Sequence, residues 1–210
     1  YTPFEETEQL TRHAMELLDA FEFGAHVLTK SSLIARDADI FCSIAGHSPM
    51  LCQGTVTAAD DKLSALVEPN VSSTSERFEA IAKMSENGLF TGIVMTPLLP
   101  FIEDTEENVL GIGRRAKECG ARSVYPMFGL TMRSGQREYF YQKLEEIFPG
   151  SGLAERYAKT YGERYVCNSP RIKRLWKVFT EECKKLGLVY EMRDIIASYK
   201  LGYGDSQLSF

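Results

Sequence analysis

The sequence predicts an α/β fold, namely part of a (β/α) barrel with parallel strands followed by a helical C-terminal extension. Short apolar runs alternate with amphipathic helical segments up to about residue 130, a pattern typical of βαβ units. After about residue 134 the strand signal ends and three helical segments follow one another. We therefore expect a barrel portion over residues 1–133 and a helical extension over 134–210 that packs on it.

Four apolar runs account for the predicted strands, at residues 26–29, 51–58, 91–100 and 123–130. The predicted helices lie at residues 5–21, 33–44, 75–88, 104–121, 137–148, 153–162 and 169–187. Ser73 and Glu76 have capping-box spacing, and we expect Asp104 to cap the next helix with Glu107 completing a second box. Val109, Ile112, Ala116 and Cys119 predict one buried stripe on that helix. Four strands are too few to close an eight-stranded barrel.

Composition and charge restrict the class of protein. The chain has 210 residues, of which 44% are hydrophobic and 25% charged, with a net charge of −5 that argues against extensive contact with duplex nucleic acid. Because no apolar run approaches the roughly 18 residues of a spanning helix, we expect a soluble protein without a membrane partner. The five cysteines are scattered, which favours reduced thiols, a cytoplasmic location and no bound metal.

The residues at the strand ends are the candidate site. Ligands bind at the carboxyl ends of parallel strands, so we expect side chains from neighbouring strand ends to meet at one mouth. The predicted binding residues are Lys30, Ser31, Thr55, Thr57, Met95 and Thr96. An ammonium, hydroxyls and a soft apolar surface suit a small ligand with an anionic group, a sugar-like diol and a flat ring. Lys30 could equally be a solvated lysine, and Ser31 could simply cap a helix.

No catalytic residue is assigned. His13, His26 and His47 are scattered and lack the spacing of metal ligands. The acidic segments 5–8 and 103–107 stand at helix starts, where negative charge complements the helix dipole, and we assign them no chemistry.

Several separated segments carry a family resemblance. They are "YTPFEETEQLTRHAMELL", "HVLTKSSLIARDADIF", "VEPNVSSTSERFEAI", "GIVMTPLLPFIEDTEENV" and "GLTMRSGQREYFYQKLEEIFPG". In order and spacing they resemble the spore photoproduct lyase-like (DNA repair photolyase-like) branch of the radical S-adenosylmethionine (radical SAM) superfamily. The resemblance extends from residue 1 to about residue 190.

The resemblance implies a partial barrel of the radical SAM type and an enzyme in which a 4Fe-4S cluster on a C-x3-C-x2-C loop reductively cleaves S-adenosylmethionine. The resulting radical abstracts hydrogen from a substrate that is not identified, a nucleic-acid lesion being one candidate. This chain has no C-x3-C-x2-C motif. We therefore expect a fragment that lacks the N-terminal cluster-binding part, binds neither cluster nor cofactor by itself and is inactive. The alternative is a non-catalytic ligand-binding or scaffold module derived from the same half-barrel.

For single residues, the resemblance implies that Lys30 contacts the carboxylate of S-adenosylmethionine and that Thr55 or Thr57 lies near its ribose. Glu68 and Arg77 belong to a matching "E-P…E-R" block, and they either touch the ligand or brace the fold, bracing being favoured. The exposed edge of an incomplete sheet invites association with another chain.

The segment 171–186 is rich in basic residues and could form a nucleic-acid-binding face. Its apolar residues Ile172, Leu175, Trp176, Phe179 and Leu186 have helical spacing, which instead favours a core-packed helix with a solvated basic face.

Overall fold

A four-stranded parallel sheet carries the fold in the computed structural model, which describes residues 1–204. The strands lie in sequence order: β1 (Ala25–Thr29), β2 (Met50–Thr55), β3 (Phe90–Met95) and β4 (Ser123–Pro126). All three neighbouring pairs are parallel. The predicted α/β fold, a partial barrel with parallel strands and a helical extension, is confirmed. The last residues of the predicted extension, 205–210, lie outside the described residues.

Helices connect and cover the strands. They are α1 (Glu5–Glu8), α2 (Leu10–Ala20), a 3-10 helix (Ser32–Asp37), α3 (Ala38–Ala45), α4 (Asp61–Val67), α5 (Thr74–Glu86), α6 (Glu106–Glu118), α7 (Gln136–Ile147), α8 (Leu153–Tyr161), α9 (Ile172–Leu186) and α10 (Met192–Tyr199). No helix among residues 1–204 is long and apolar enough to cross a membrane.

The two faces of the sheet have different partners. One face belongs to the main core, where Cys52, Ile93 and Val124 pack with buried side chains of α3, α5, α6 and α9. The opposite face carries His26, Gln53 and other residues beside α10. All six residues of β2 are buried because both of its faces and both of its edges are covered.

The sheet has one open edge. Within the described residues, β1 pairs with β2 alone. At the other side, the backbone of Val189 exchanges hydrogen bonds with Arg122 and Val124, each at 2.9 Å, so the outer edge of β4 is partly closed. Association through the edge of β1 stays a prediction.

The C-terminal extension, residues 134–204, is tied to the sheet in two places. Leu175, Phe179 and Cys183 of α9 belong to the main core, and the partly buried Trp176 packs edge-on against Phe128 with ring centroids 5.3 Å apart. A second, smaller core unites residues on both sides of the predicted boundary: Leu130, Met132, Leu144, Tyr157, Tyr161 and Cys167. The division at residue 133 stays a prediction.

Several predicted elements differ from the observed ones. Residues 5–21 form two helices, because Gln9 has a φ of 50° and the Glu5 carboxylate accepts hydrogen bonds from the backbone N–H of Thr11. The second and third strands end at Thr55 and Met95, earlier than predicted. The run 123–130 is divided between β4 and β5 (Gly129–Thr131), which pairs antiparallel with β6 (Val166–Asn168).

The predicted cap of α6 was wrong. Thr105 is the N-cap, and its hydroxyl accepts a hydrogen bond of 3.1 Å from the backbone N–H of Asn108. Asp104 is buried instead, where it accepts hydrogen bonds from the backbone of Phe101 and the hydroxyl of Ser169. The capping box of Ser73 and Glu76 is confirmed. The buried stripe on α6 is also confirmed, with Cys119 partly buried at its end.

Candidate functional site

A cavity of about 290 Å³ lies at the carboxyl ends of β1, β2 and β3. It is lined by Lys30, Thr57, Val67, Glu68, Pro69, Val71, Pro97, Leu99 and Glu103. We call it the strand-end cavity. We use "strand-end cluster" for its polar residues and the arginine behind them: Lys30, Thr57, Glu68, Arg77 and Glu103.

An ion-pair chain forms one side of the cavity. The Lys30 ammonium donates to one carboxylate oxygen of Glu68, and Arg77 Nη1 donates to the other at 2.6 Å. Arg77 is buried and also donates to the backbone carbonyls of Thr55 at 3.0 Å and Ser72 at 2.7 Å. Arg77 therefore braces the end of β2, whereas Glu68 and Lys30 face the cavity.

Glu103 and Thr57 form the other side. The Thr57 hydroxyl donates to Glu103 Oε1 at 2.7 Å, and the backbone N–H of Leu99 donates to Oε2 at 2.8 Å. Glu103 is only 1% exposed. Burial raises its pKa to about 7, and the nearby negative charge of Glu68 adds to that rise. The two hydrogen bonds and the positive charge of Lys30 oppose it.

Sequence reasoning missed Glu103 as a site residue. The acidic segment 103–107 looked like a helix start, and Glu106 and Glu107 do lie in the first turn of α6. Glu103 instead precedes the N-cap, and the loop after β3 folds its carboxyl group onto Thr57. Its position in the sequence could have identified it. Glu103 precedes Thr105, a residue type that commonly caps helices, so a favourable interaction with the helix dipole does not account for its negative charge.

The other predicted site residues are dispersed. Ser31 accepts a hydrogen bond from Leu33 N–H as a helix cap, and it lines an adjacent open cavity of about 670 Å³ that also includes Lys30. The Thr55 side chain is buried and does not line the strand-end cavity. Met95 is fully buried in the main core, and Thr96 lines a cavity on the opposite face of the sheet. The structure thus brings together Lys30 and Thr57, with Ser31 alongside.

The cavity on the opposite face has a different character. It measures about 450 Å³ and lies between the sheet and α10. Its lining is mainly apolar, with a hydrogen bond of 2.7 Å between His26 Nε2 and Gln53 Oε1. We call it the sheet-face cavity.

The cysteines do not form a site for an iron–sulfur cluster. They are free and lie on separate elements: Cys42 on α3, Cys52 on β2, Cys119 at the end of α6, Cys167 on β6 and Cys183 on α9. Burial raises the pKa of the Cys52 and Cys183 thiols to about 12, which disfavours the thiolate that metal binding requires. Within residues 1–204, no three His, Cys, Asp or Glu side chains are placed to hold a metal ion.

The fold matches solved structures of radical SAM proteins. A mutant of spore photoproduct lyase with bound AdoMet and dinucleoside spore photoproduct superimposes with a TM-score of 0.63 at 16% identity, covering 89% of this chain and 56% of that one. The radical S-adenosylmethionine methyltransferase TsrM from Kitasatospora setae gives a TM-score of 0.54 at 10% identity, covering 87% of this chain and 41% of that one. The chain therefore has the radical SAM fold over its parallel sheet and helices.

Sequence comparison finds uncharacterised proteins. One of Mycobacterium tuberculosis is 27% identical over 135 residues, 64% of this chain and 39% of the relative. One of Methanocaldococcus jannaschii is 29% identical over 106 residues, 50% of this chain and 39% of the relative. No protein-family model matches the chain. The chain spans about two-fifths of the length of these relatives.

Proposed function

We propose that this chain is the S-adenosylmethionine-binding portion of a radical SAM protein. The observation that supports it most strongly is the Lys30 ammonium at the end of β1, held by Glu68 and facing a cavity that also contains the Thr57 hydroxyl. This pair of groups stands at the strand ends of a fold that matches radical SAM structures, one of them solved with bound AdoMet.

The free hydrogen-bonding capacity of these residues suits the cofactor. A lysine ammonium has three donors, and Glu68 accepts from one of them, so Lys30 retains donors for a carboxylate. The Thr57 hydroxyl donates a hydrogen bond to Glu103, and its oxygen lone pairs remain available to accept one from a ribose hydroxyl. Both groups are held by neighbours before the ligand arrives, which reduces the entropy lost on binding.

The 4Fe-4S cluster implied by the resemblance would supply the electron that cleaves S-adenosylmethionine. The described cysteines do not fit it, so we derive no reaction step through it for this chain. In this proposal the cluster ligands belong to other parts of a longer protein, as the greater length of the curated relatives suggests.

A nucleic-acid lesion as substrate stays a prediction. Two basic side chains near the candidate nucleic-acid face are engaged in ion pairs, Arg174 with Glu106 and Arg114 with Glu182, each at 2.8 Å. A solvated basic face remains our interpretation of α9.

The test is calorimetric titration of S-adenosylmethionine into the longer, cluster-loaded protein of this proposal, because we expect the 210-residue chain to bind no cofactor by itself. Lys30→Ala should weaken binding by roughly ten- to a hundredfold, because a hydrogen bond to a charged group is worth about 1.5–3 kcal/mol. Lys62→Ala, an exposed lysine on α4, is the matched control and should bind as the wild type does. Equal affinities of Lys30→Ala and the wild type would remove Lys30 from the site. No binding by the wild type would favour the scaffold alternative.

A further inference from the structure

Glu103 is a buried carboxyl group that faces the strand-end cavity without a cation of its own. Its two hydrogen-bond partners, Thr57 and Leu99, are neutral. Among the ion pairs of residues 1–204, none includes Glu103. A buried carboxylate without a counterion is costly, and the usual response is that the group takes up a proton.

The charges around Glu103 have opposing effects: the Glu68 carboxylate raises its pKa, and the Lys30 ammonium, which is itself paired with Glu68, lowers it. Lys30 follows β1, Glu68 follows α4 and Arg77 lies on α5, and both cations are engaged with Glu68. Asp104, the next residue, is turned toward Phe101 and Ser169. Tyr157 of α8 lies near Glu103 and is neutral, since burial raises its pKa. With Glu103 neutral, the strand-end cluster has two positive charges and one negative charge, an excess of one that suits a single ligand carboxylate.

We propose that the strand-end cavity binds a ligand carboxylate together with one proton, and that Glu103 holds this proton. The inference rests on the proposed function, in which the carboxylate is that of S-adenosylmethionine. An anion bound at Lys30 adds negative charge beside Glu103, and like charge further disfavours the ionised acid. The neutral acid can also donate a hydrogen bond into the cavity, which the carboxylate cannot.

The proposal predicts a pH range. The pKa of Glu103 in the free protein is about 7, so its proton is largely present at pH 6 and largely absent at pH 8. Above pH 7, Glu103 must therefore take up a proton from solution when the ligand binds. The affinity for the ligand should then fall by up to about tenfold for each pH unit.

Calorimetric titration of S-adenosylmethionine from pH 6 to pH 8.5 into the same longer, cluster-loaded protein tests this inference. Glu103→Gln imitates the neutral acid: its amide oxygen can accept from Leu99, and its NH₂ group can donate. This variant should bind as the wild type does at pH 6 and more tightly, by roughly tenfold, at pH 8. Titration of the ligand's own amine affects both proteins equally and cancels in the ratio. Glu107→Gln, an exposed carboxylate on α6, is the matched control and should keep the wild-type pH profile.

A second readout is the proton uptake itself. At pH 8, wild-type binding should take up about one proton more than binding by Glu103→Gln, measured as the difference in heat between phosphate and Tris buffers. Equal proton uptake by the two proteins, or the same pH profile in Glu103→Gln, would overturn this inference and leave the proposed function standing. No binding at any pH would overturn both.

Discussion

Two buried arginines, one in the strand-end cluster and one in the C-terminal extension, have contrasting partners. Arg77 pairs with Glu68, a carboxylate that lines a cavity. Arg137 of α7 donates to the backbone carbonyls of Gly162, Arg164 and Met132, and its ion pair with Glu163 is long, at 3.9 Å, to a side chain that is 97% exposed. Burial of an arginine therefore does not by itself indicate a functional site. The difference lies in the hydrogen-bond acceptors. Arg77 positions a carboxylate, that of Glu68, which lines a cavity, whereas Arg137 donates to backbone carbonyl groups.

The largest expected effect is that of Arg77→Met. The change leaves Glu68 with Lys30 as its remaining ion-pair partner and removes donors from two backbone carbonyls. Removing one partner of a buried pair costs about 3–5 kcal/mol, so we expect that loss in the free energy of unfolding. Urea titration followed by circular dichroism measures it. A loss below about 1 kcal/mol, the range of surface ion pairs, would show that Arg77 does not brace the cluster.

Glu103→Gln extends the comparison to the buried carboxyl group of the strand-end cluster, which is in none of the ion pairs of residues 1–204. The folded-state pKa of Glu103, about 7, lies above its ordinary value of 4.5, so folding favours the protonated form. The stability contributed by this group is fully present below pH 4.5 and is lost as pH rises to about 7. Glu103→Gln should match the wild type at pH 4 and be more stable by up to about 3 kcal/mol at pH 8. Urea unfolding at both pH values measures this, and an unchanged difference between them would contradict the raised pKa.

Arg137→Met should have a smaller effect than Arg77→Met. The variant leaves carbonyl groups without their donor, and an unsatisfied buried group costs about 1–3 kcal/mol. Glu163→Gln should leave the free energy of unfolding unchanged, since that carboxylate is in solvent. A loss for Arg137→Met as large as that for Arg77→Met, measured by the same urea titration, would break the distinction between the two arginines.

The smallest expected effect on stability is that of Lys30→Ala. The Lys30 side chain is one-third exposed and lies beyond the last residue of β1. We expect a change within about 0.5 kcal/mol in the free energy of unfolding, typical of partly exposed ion pairs, although ligand affinity falls. Thermal unfolding of the unliganded variant measures this. A large loss would show that Lys30 is a structural residue and that weaker binding reflects damage to the fold.

The parallel sheet could be predicted from the sequence because its signals are local. Each apolar run is followed by an amphipathic helix, and the capping box of Ser73 and Glu76 and the stripe from Val109 to Cys119 are spacings within one turn or one helix. Lys30 could be predicted as a cavity residue for the same reason, since it directly follows an apolar run whose end could be read from the sequence.

The remaining features depended on contacts between distant residues. Residues 129–131 form a strand of their own because they pair antiparallel with β6. The sequence near them does not show this pairing, since β6 lies more than 30 residues further along the chain. Met95 belongs to the core because alternate residues of a strand face opposite sides, and the register across the sheet decides which side. Glu103 became a buried acid through contacts with Thr57 and Leu99, one of which joins residues 46 positions apart. Local sequence determined which elements form, and packing between them decided which carboxyl groups lost their water and therefore how they titrate.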